Sequence, residues 1–322
     1  MRAVQIVELT GPDTALRTVD LPAPQPGDDQ VLIDVHAAGV AFPEVLQTRG
    51  MYQLKPPVPF VPGSEVAGVV LSAPESASVR TGDRVAAMCM LGGFAEQAVA
   101  PSYLTFPLPD ELDFAQGAGL ILNYHTAWFS LVTRGRLQSG ETVLVHGAAG
   151  GVGTATLQVA KGLGARTIAV VSSDEKANVA REAGADEVLR SDGPWKDQAK
   201  ELGGADIVID PVGGDRFTDS LRSLRQQGRL VVVGFTAGEI PTVKVNRLLL
   251  NNVEVVGAAW GEFAIRRPDV MAKTHEEISR LIQMGFVRPP IGARFPLERA
   301  VDAVKLLDDR GATGKVVLEL RS

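Results

Sequence analysis

A glycine-rich turn near the middle of the chain has the residue types and spacing that most directly indicate chemistry. Residues 143–153 read VLVHGAAGGVG, an apolar run followed at once by small residues. A turn of this kind between a buried strand and a helix lets the backbone approach a diphosphate closely. The amides at the helix N-terminus then bind its oxygens. The pattern therefore predicts a dinucleotide-binding loop.

The loop can be compared with the dinucleotide-binding fingerprint G-x-G-x-x-G. Its three glycine positions correspond to Ala148, Gly150 and Gly153, so alanine replaces the first glycine. Gly150 leaves room for the diphosphate, and Gly153 lets the helix pack closely against the strand. A glycine pattern alone is weak evidence. The strand before it, the helix after it and a second strand at the right distance favour a cofactor site over a structural turn. The residues predicted to lie at the diphosphate are Ala149, Gly150, Gly151 and Val152.

Polar residues follow the second strand, where such proteins bind the adenosine ribose. NAD-binding proteins commonly carry Asp or Glu there, whereas this chain has Ser172 and Ser173, with Lys176 one helical turn later. Two hydroxyls leave room for a 2′-phosphate and a lysine pairs with it, so the sequence favours NADPH. Arg190, after the next strand, is a further candidate cation. The alternative is that Ser173 only caps a helix, the two cations are surface residues, and Asp174 weakens phosphate binding.

The elements around this loop indicate an α/β protein of two domains. Up to residue 122, short strands alternate with Gly and Pro turns, which predicts a mostly β region. Beyond it, helices alternate with apolar strands from 142–146 to 253–256, the pattern of a doubly wound parallel sheet. We therefore predict a Rossmann domain at 123–261 and a second domain formed by 1–122 and 262–322.

Composition limits the classes of partner. The 322 residues carry a net charge of −6, which leaves no basic excess for nucleic acid, so we expect a small-molecule ligand. The first residues lack the features of a signal peptide, and no apolar run reaches the roughly 18–20 residues of a membrane span. We therefore expect a cytoplasmic protein without a membrane partner. Cys89 is the single cysteine, which excludes a multi-cysteine zinc cluster.

Segments along the whole chain resemble the quinone oxidoreductase branch of the medium-chain dehydrogenases/reductases. They are AAGVAFPEVLQTRGMY (37–52), PFVPGSEVAGVV (59–70), GDRVAAM (82–88), NYHTAW (123–128), HGAAGGVG (146–153), SSDEKA (172–177), DPVGG (210–214), GFTAGEIP (234–241) and GATGKVVL (311–318). The resemblance implies a GroES-like, mostly β catalytic domain built from both chain ends and a Rossmann domain between them. It also implies cofactor contacts from Asn123 and Thr126 at the nicotinamide, Phe235 and Thr236 at its ribose, and Lys315 from the C-terminal segment.

The chain departs from the zinc-dependent relatives at the metal positions. Those relatives carry Cys where this chain has Ala41, His where it has Ser64, and a four-cysteine lobe after about residue 90 that is absent here. A catalytic zinc site needs at least three N, S or O ligands from the protein, and four scattered histidines do not supply them. We therefore predict no metal. Many quinone oxidoreductases also have Asn at Ala41 and Tyr at Leu46, so we expect a more apolar active-site wall here.

The predicted chemistry is hydride transfer from the nicotinamide to an electron-poor acceptor. The protein must supply alignment and a water-poor site, and a dedicated acid is optional. Tyr52 and Tyr124 are the candidate catalytic residues, because a phenol can hydrogen-bond a substrate carbonyl. The alternative is a partly buried tyrosine with a satisfied hydroxyl. Glu65 is costly to bury unpaired, so we expect it to form a structural hydrogen-bonded pair.

Three functions remain open from the sequence. The first is a zinc-independent NADPH:quinone oxidoreductase acting on a small-molecule electron acceptor. The second is an NADPH-dependent C=C reductase of enones or enoyl thioesters, and the third is a non-catalytic NADPH-binding protein.

The apolar run 253–260 lies near the end of the predicted Rossmann sheet. A strand at the edge of a sheet needs a pairing partner, and in the resembled family the equivalent strand pairs across a two-fold axis. We therefore expect a homodimer.

Overall fold

The computed structural model describes residues 1–321 and divides them into two compact units. Unit 1 comprises Met1–Leu122, Pro268–His275 and the chain from Pro289 onward, and unit 2 comprises Asn123–Arg267 and Glu276–Arg288. The divisions between the units fall after Leu122, Arg267, His275 and Arg288. Residues 276–288 group with unit 2 because Leu281 and Phe286 pack against the helix around Gly162.

The first third of the chain forms short strands joined by loops and brief helices. In chain order these are β1 (Arg2–Ile6), α1 (Pro12–Ala15), β2 (Leu16–Asp20), β3 (Gln30–Val40), α2 (Phe42–Gln47), β4 (Glu65–Ser72), β5 (Arg84–Met88), β6 (Gln97–Pro101), β7 (Thr105–Pro107) and α3 (Phe114–Gly117). This is the predicted mostly β region.

The middle of the chain alternates strands and helices. It contains α4 (Thr126–Trp128), β8 (Thr142–His146), α5 (Gly151–Gly162), β9 (Arg166–Val171), α6 (Asp174–Glu182), β10 (Glu187–Arg190), α7 (Trp195–Glu201), β11 (Ala205–Asp210), α8 (Phe217–Ser223), β12 (Leu224–Val232), α9 (Asn246–Asn251), β13 (Glu254–Gly257) and α10 (Trp260–Arg266). Two π-helical stretches, Ile121–His125 and Phe129–Arg134, flank α4. The last part contains α11 (Met271–Gln283), β14 (Ile291–Pro296), α12 (Ala300–Asp308) and β15 (Lys315–Glu319).

Unit 1 is organised by a seven-stranded sheet in which β3 is central. The order is β14-β15-β3-β4-β5-β7, with β6 also pairing β3. The first half of β3 alternates buried and half-buried residues, as expected for a strand with one face on the core. The sheet brings together three places far apart in sequence: the turn after β3, the start of β4 and the start of β15.

Unit 2 is a doubly wound Rossmann fold, which confirms the predicted fold class. Its six strands are all parallel and run in the order β10-β9-β8-β11-β12-β13. Counted from the first strand of the unit this is 3-2-1-4-5-6, in which ligands bind beyond the carboxyl ends of the strands where the order reverses. The reversal lies between β8 and β11, and the glycine-rich loop follows β8.

Across residues 1–321 no helix combines the length and apolarity needed to cross a membrane.

Candidate cofactor and active site

The glycine-rich loop joins β8 to α5 in the geometry of an anion site. Gly147 has a left-handed φ of 59°, and Gly150 caps α5 with an extended backbone. A Cβ on Gly153 would lie 2.2 Å from the Gly147 carbonyl oxygen, which confirms that close helix packing requires glycine there. The first amides of a helix lack intrahelical partners, so the N–H groups of Gly151 and Val152 can bind an anion.

Asn123 lies against the start of α5. A Cβ on Gly151 would be 2.5 Å from the Asn123 Nδ2 atom, so glycine at this position makes room for the amide. Asn123 is buried in the first π-helical stretch, and Thr126 begins α4, also buried. Ala149 is buried as well. Gly151 fills no slot of the fingerprint, so the pattern alone did not reveal its contact with Asn123.

The predicted 2′-phosphate residues lie together after β9. Ser173 caps α6, because its Oγ accepts a hydrogen bond of 3.2 Å from the Lys176 backbone N–H. The Lys176 ammonium lies 3.4 Å from the Ser172 Oγ. The capping role that the sequence left open for Ser173 is therefore real, and it coexists with a lysine side chain directed at the neighbouring serine.

Arg190 extends this cluster from the end of β10. In the parallel pairing of β9 and β10 it stands opposite Val171. Its guanidinium donates to the Asp174 carboxylate at 2.6 Å, the Ser172 carbonyl at 3.0 Å and the Asp192 carboxylate at 3.1 Å. Asp174, which would repel a phosphate, is thus paired with a cation. The Arg190 side chain is 38% exposed, and ion pairs at such sites are worth at most about 1 kcal/mol, so a dianion can compete for the guanidinium.

Phe235 and Thr236 lie in the loop after β12, at the same edge of the sheet. The Thr236 N–H donates to the Pro211 carbonyl at 3.1 Å. The Phe235 ring packs near Gly213, where an added Cβ would approach it to 3.0 Å. Gly213 is held in turn by Asp210, whose Oδ1 accepts its N–H at 2.9 Å. The loops after β11 and β12 therefore support each other beyond the carboxyl ends of the strands.

The two candidate tyrosines differ in their surroundings. Tyr124 is 1% exposed, and its hydroxyl donates to Gln158 Oε1 at 2.6 Å. Burial raises the pKa of this phenol well above 10. Gln158 also bonds both backbone polar groups of Arg288, so the geometry of Tyr124 favours the structural alternative over a catalytic one. Tyr52 is half-buried in the segment after α2.

Glu65 and Lys315 form a buried ion pair within unit 1. The Lys315 ammonium donates to Glu65 Oε1, and the side chains are 3% and 1% exposed. Glu65 Oε2 accepts the Leu122 N–H at 2.9 Å, which confirms the structural pairing predicted for Glu65. Lys315, which the resemblance assigns to the cofactor, is the counter-ion of Glu65 in this structure. A Cβ on Gly39 would be 2.7 Å from Lys315 Cε, so the pair is closely packed.

The positions that hold zinc in metal-dependent relatives are occupied here by a small cluster around Glu44. Its Oε1 accepts the Ser64 hydroxyl at 2.6 Å, and its Oε2 accepts the Ala41 N–H at 2.8 Å. Burial raises the pKa of Glu44, and that of the nearby Cys89 thiol. Within the part of the chain that the structure describes, no group of three His, Cys, Asp or Glu side chains is arranged to hold a metal ion.

Comparison with known proteins agrees with this architecture. A strand order of 3-2-1-4-5-6 with a glycine loop at the reversal defines a dinucleotide-binding domain. The family described as "Alcohol dehydrogenase GroES-like domain" matches residues 27–110, and that described as "Zinc-binding dehydrogenase" matches residues 151–280.

Individual relatives cover nearly the whole chain. Quinone oxidoreductase-like protein 2 of Rattus norvegicus is 40% identical over 99% of this chain and 92% of its own length. The quinone oxidoreductase of Homo sapiens is 33% identical over 99% and 98%. A mycobacterial protein solved in complex with NADPH is 35% identical, with a TM-score of 0.91 over 99% and 100% of the two chains. This chain therefore belongs to the quinone oxidoreductase-like medium-chain dehydrogenases/reductases, and it is an oxidoreductase.

Proposed function

We propose that this protein is a zinc-independent, NADPH-dependent quinone oxidoreductase. The observation that carries the cofactor assignment is the cluster of Ser172, Ser173, Lys176 and Arg190 beyond β9 and β10. It offers hydroxyls and two cations where an NAD-type carboxylate would stand, so the residues fit a phosphorylated dinucleotide. The bound NADPH supplies a hydride, and a quinone accepts it. The names of the human and rat relatives support the acceptor class.

Separate groups of residues bind the proposed cofactor. The N-terminus of α5 places the amides of Gly151 and Val152 at the diphosphate, where the helix dipole also favours negative charge. Asn123, packed on Gly151, fixes the beginning of the helix relative to the π-helical stretch that precedes α4. Phe235 and Thr236 close the same edge of the sheet from the loop after β12. Together they align the cofactor, which is the main protein contribution to hydride transfer.

Reduction of a C=C bond is the second candidate. Ala41 and Leu46 replace the Asn and Tyr of many quinone oxidoreductases, so neither of these two side chains offers a polar group to a quinone oxygen. An apolar wall suits a linear enone or an enoyl thioester at least as well. Both reactions use the same hydride and the same cofactor site.

One assay panel separates these functions. NADPH oxidation by the purified protein is measured with a naphthoquinone, a linear enone and crotonyl-CoA, before and after treatment with a chelator. We expect the highest kcat/KM with the naphthoquinone and no loss after chelation, because neither Ala41 nor Ser64 can bind zinc. A preference for the enone or crotonyl-CoA would assign the second function. Activity lost to the chelator and restored by zinc would contradict the metal-independent proposal.

We also propose a homodimer formed through unit 2. Strand β13 is terminal in the sheet order, and a row of unpaired backbone groups at such an edge favours pairing with another chain. Apolar side chains are exposed just before it: Val245 by 72%, and Leu249 and Leu250 by 75% each. A strand edge beside an apolar surface suits a two-fold interface with a second copy.

The prediction is a dimer mass by light scattering at micromolar concentration. Leu250→Glu places a charge on the exposed apolar surface and is expected to shift the mass toward a monomer. Met284→Glu is the matched control, because Met284 is 57% exposed in another part of unit 2. A fully active wild type with the mass of a monomer would refute the proposal.

A further inference from the structure

The loop after β12 is joined through its backbone to the turn at residues 211–214. Residues 233–245 form neither helix nor strand, so their position depends on such contacts. The hydrogen bonds are Thr236 N–H to the Pro211 carbonyl at 3.1 Å, Ala237 N–H to the Val212 carbonyl at 2.9 Å and Gly214 N–H to the Glu239 carbonyl at 3.3 Å. The placement of Phe235 and Thr236 in unit 2 therefore follows the conformation of this turn.

The side chain of Asp210 fixes the turn. Asp210 is the last residue of β11, and its Oδ1 accepts the N–H groups of Val212 and Gly213, each at 2.9 Å. Gly213 and Gly214 have left-handed φ values of 67° and 71°, and a glycine pair loses much conformational entropy when it is ordered. A carboxylate that binds two successive amides stabilises one conformation of the turn.

Asp210 is an expensive residue to bury at this position. It is 1% exposed, and within residues 1–321 its Oδ2 has no hydrogen-bond partner and no cation pairs with it. His146, beside it on β8, does not supply a cation at neutral pH, because burial lowers the pKa of this imidazole to about 4. Burying a carboxylate with an unpaired oxygen costs free energy. What Asp210 contributes is therefore the order of the turn rather than the packing of the core.

We propose that Asp210 is a positioning residue for the nicotinamide half of NADPH. Its carboxylate orders the turn at 211–214, and the turn holds Phe235 and Thr236 at the nicotinamide ribose. The inference rests on the proposed function, which assigns these two residues to the cofactor site. Asp210 does not need to touch the cofactor, because its effect passes through the backbone of the turn.

The adenosine half of the site does not depend on this turn. Val212 lies near Gly147, but the glycine-rich loop is closed by its own hydrogen bond, from the Gly150 N–H to the Gly147 carbonyl at 3.0 Å. Ser172 and Lys176 follow β9, which lies on the other side of β8 from β11. A defect in the turn should therefore weaken binding of the nicotinamide half and spare that of the adenosine 2′-phosphate.

The test compares the Kd for NADPH with the Kd for 2′,5′-ADP, which carries the adenosine 2′-phosphate but no nicotinamide. Both are measured by calorimetry. Asp210→Ala removes two charge-assisted hydrogen bonds, of a kind worth about tenfold or more in affinity. We therefore expect the Kd for NADPH to rise about tenfold or more and the Kd for 2′,5′-ADP to stay unchanged. Asp210→Asn keeps an acceptor, but neutral hydrogen bonds are about half as strong, so its rise should be about threefold.

Asp206→Ala is the matched control, because Asp206 lies near the other end of the same strand. Its carboxylate accepts the Thr142 N–H at 2.8 Å and pairs with Arg225 at 2.7 Å. This variant should lower the free energy of unfolding and leave both dissociation constants unchanged. Amide hydrogen exchange over residues 233–245 should become faster in both Asp210 variants and stay as in the wild type in Asp206→Ala.

The outcomes separate the inference from the proposed function. Unchanged binding of NADPH in a folded Asp210→Ala variant would overturn the inference, and so would an equal loss of affinity for both ligands. If Asp210→Ala fails to fold, Asp210→Asn decides in the same way, by the presence or absence of the threefold rise. In these cases the proposed cofactor site still stands. A wild type that binds neither NADPH nor 2′,5′-ADP would overturn that site and the inference with it.

Discussion

Replacing Lys315 with methionine is expected to lower the free energy of unfolding by about 3–5 kcal/mol. The ammonium is the counter-ion of Glu65, whose carboxylate is 1% exposed and also accepts the Leu122 N–H. Methionine has a similar length but leaves the carboxylate buried without a cation. The cost arises from the uncompensated charge rather than from the lost attraction. Urea denaturation of the wild type and the variant, without added cofactor, measures the difference.

Two further variants identify the cause. In the double variant Glu65→Gln/Lys315→Met no charge is left, and the amide oxygen can still accept the Leu122 N–H, so most of the lost stability should return. Lys305→Met is the matched surface control: its side chain is 38% exposed and pairs with Asp13. Removing such a surface pair should cost little, because solvent screens the two charges. If Lys315→Met and Lys305→Met lose the same free energy of unfolding, the buried ion pair contributes no more to stability than the surface pair.

Much of unit 2 was predictable because its signals are local. Strand β8 occupies Thr142–His146 in the structure, as the sequence predicts. A short apolar run directly before a glycine-rich turn is typical of a buried strand. The alternation of such runs with helical stretches fixes a parallel sheet, and right-handed crossovers then restrict the strand order. The packing role of Gly153 also follows from this local pattern.

The buried polar groups of unit 1 could be anticipated only in part. The presence of a buried Glu65 predicts that it needs a partner, but the partner, Lys315, is 250 residues away. No spacing rule connects the two, because the sheet brings β4 and β15 to opposite sides of β3. The bond between Ser64 and Glu44 was missed in the same way, since it joins α2 to the start of β4.

Some element boundaries cannot be inferred from local patterns, because tertiary contacts override them. Strand β12 begins at Leu224 and ends at Val232, although only its last residues have the apolar pattern of a buried strand. Its first part contains charged and polar residues and a glycine, which weaken the strand signal. The division of α11 between the units likewise depends on Leu281 and Phe286 packing near Gly162, which cannot be inferred from the periodicity of the helix.

The selectivity of the proposed cofactor site depends on charge at the end of β9. A 2′-phosphate carries nearly two negative charges, and an NAD-type carboxylate at this position would repel it. Here Ser172 and Ser173 are neutral, and the carboxylate of Asp174 is paired with Arg190. Lys176, whose ammonium lies 3.4 Å from the Ser172 hydroxyl, is the cation best placed to meet a phosphate at the two serines. NADH lacks the phosphate and gains nothing from this lysine.

Lys176→Ala is therefore expected to raise the KM for NADPH and leave that for NADH almost unchanged. A charge-assisted hydrogen bond is worth about 1.5–3 kcal/mol, or about 10- to 150-fold in affinity. Partial exposure of the lysine moves the effect toward the lower end. Steady-state kinetics with both cofactors measure it, and Lys200→Ala, an exposed lysine of α7, is the control. If Lys176→Ala weakens both cofactors equally, or the wild type uses NADH as efficiently as NADPH, then Lys176 does not recognise the 2′-phosphate.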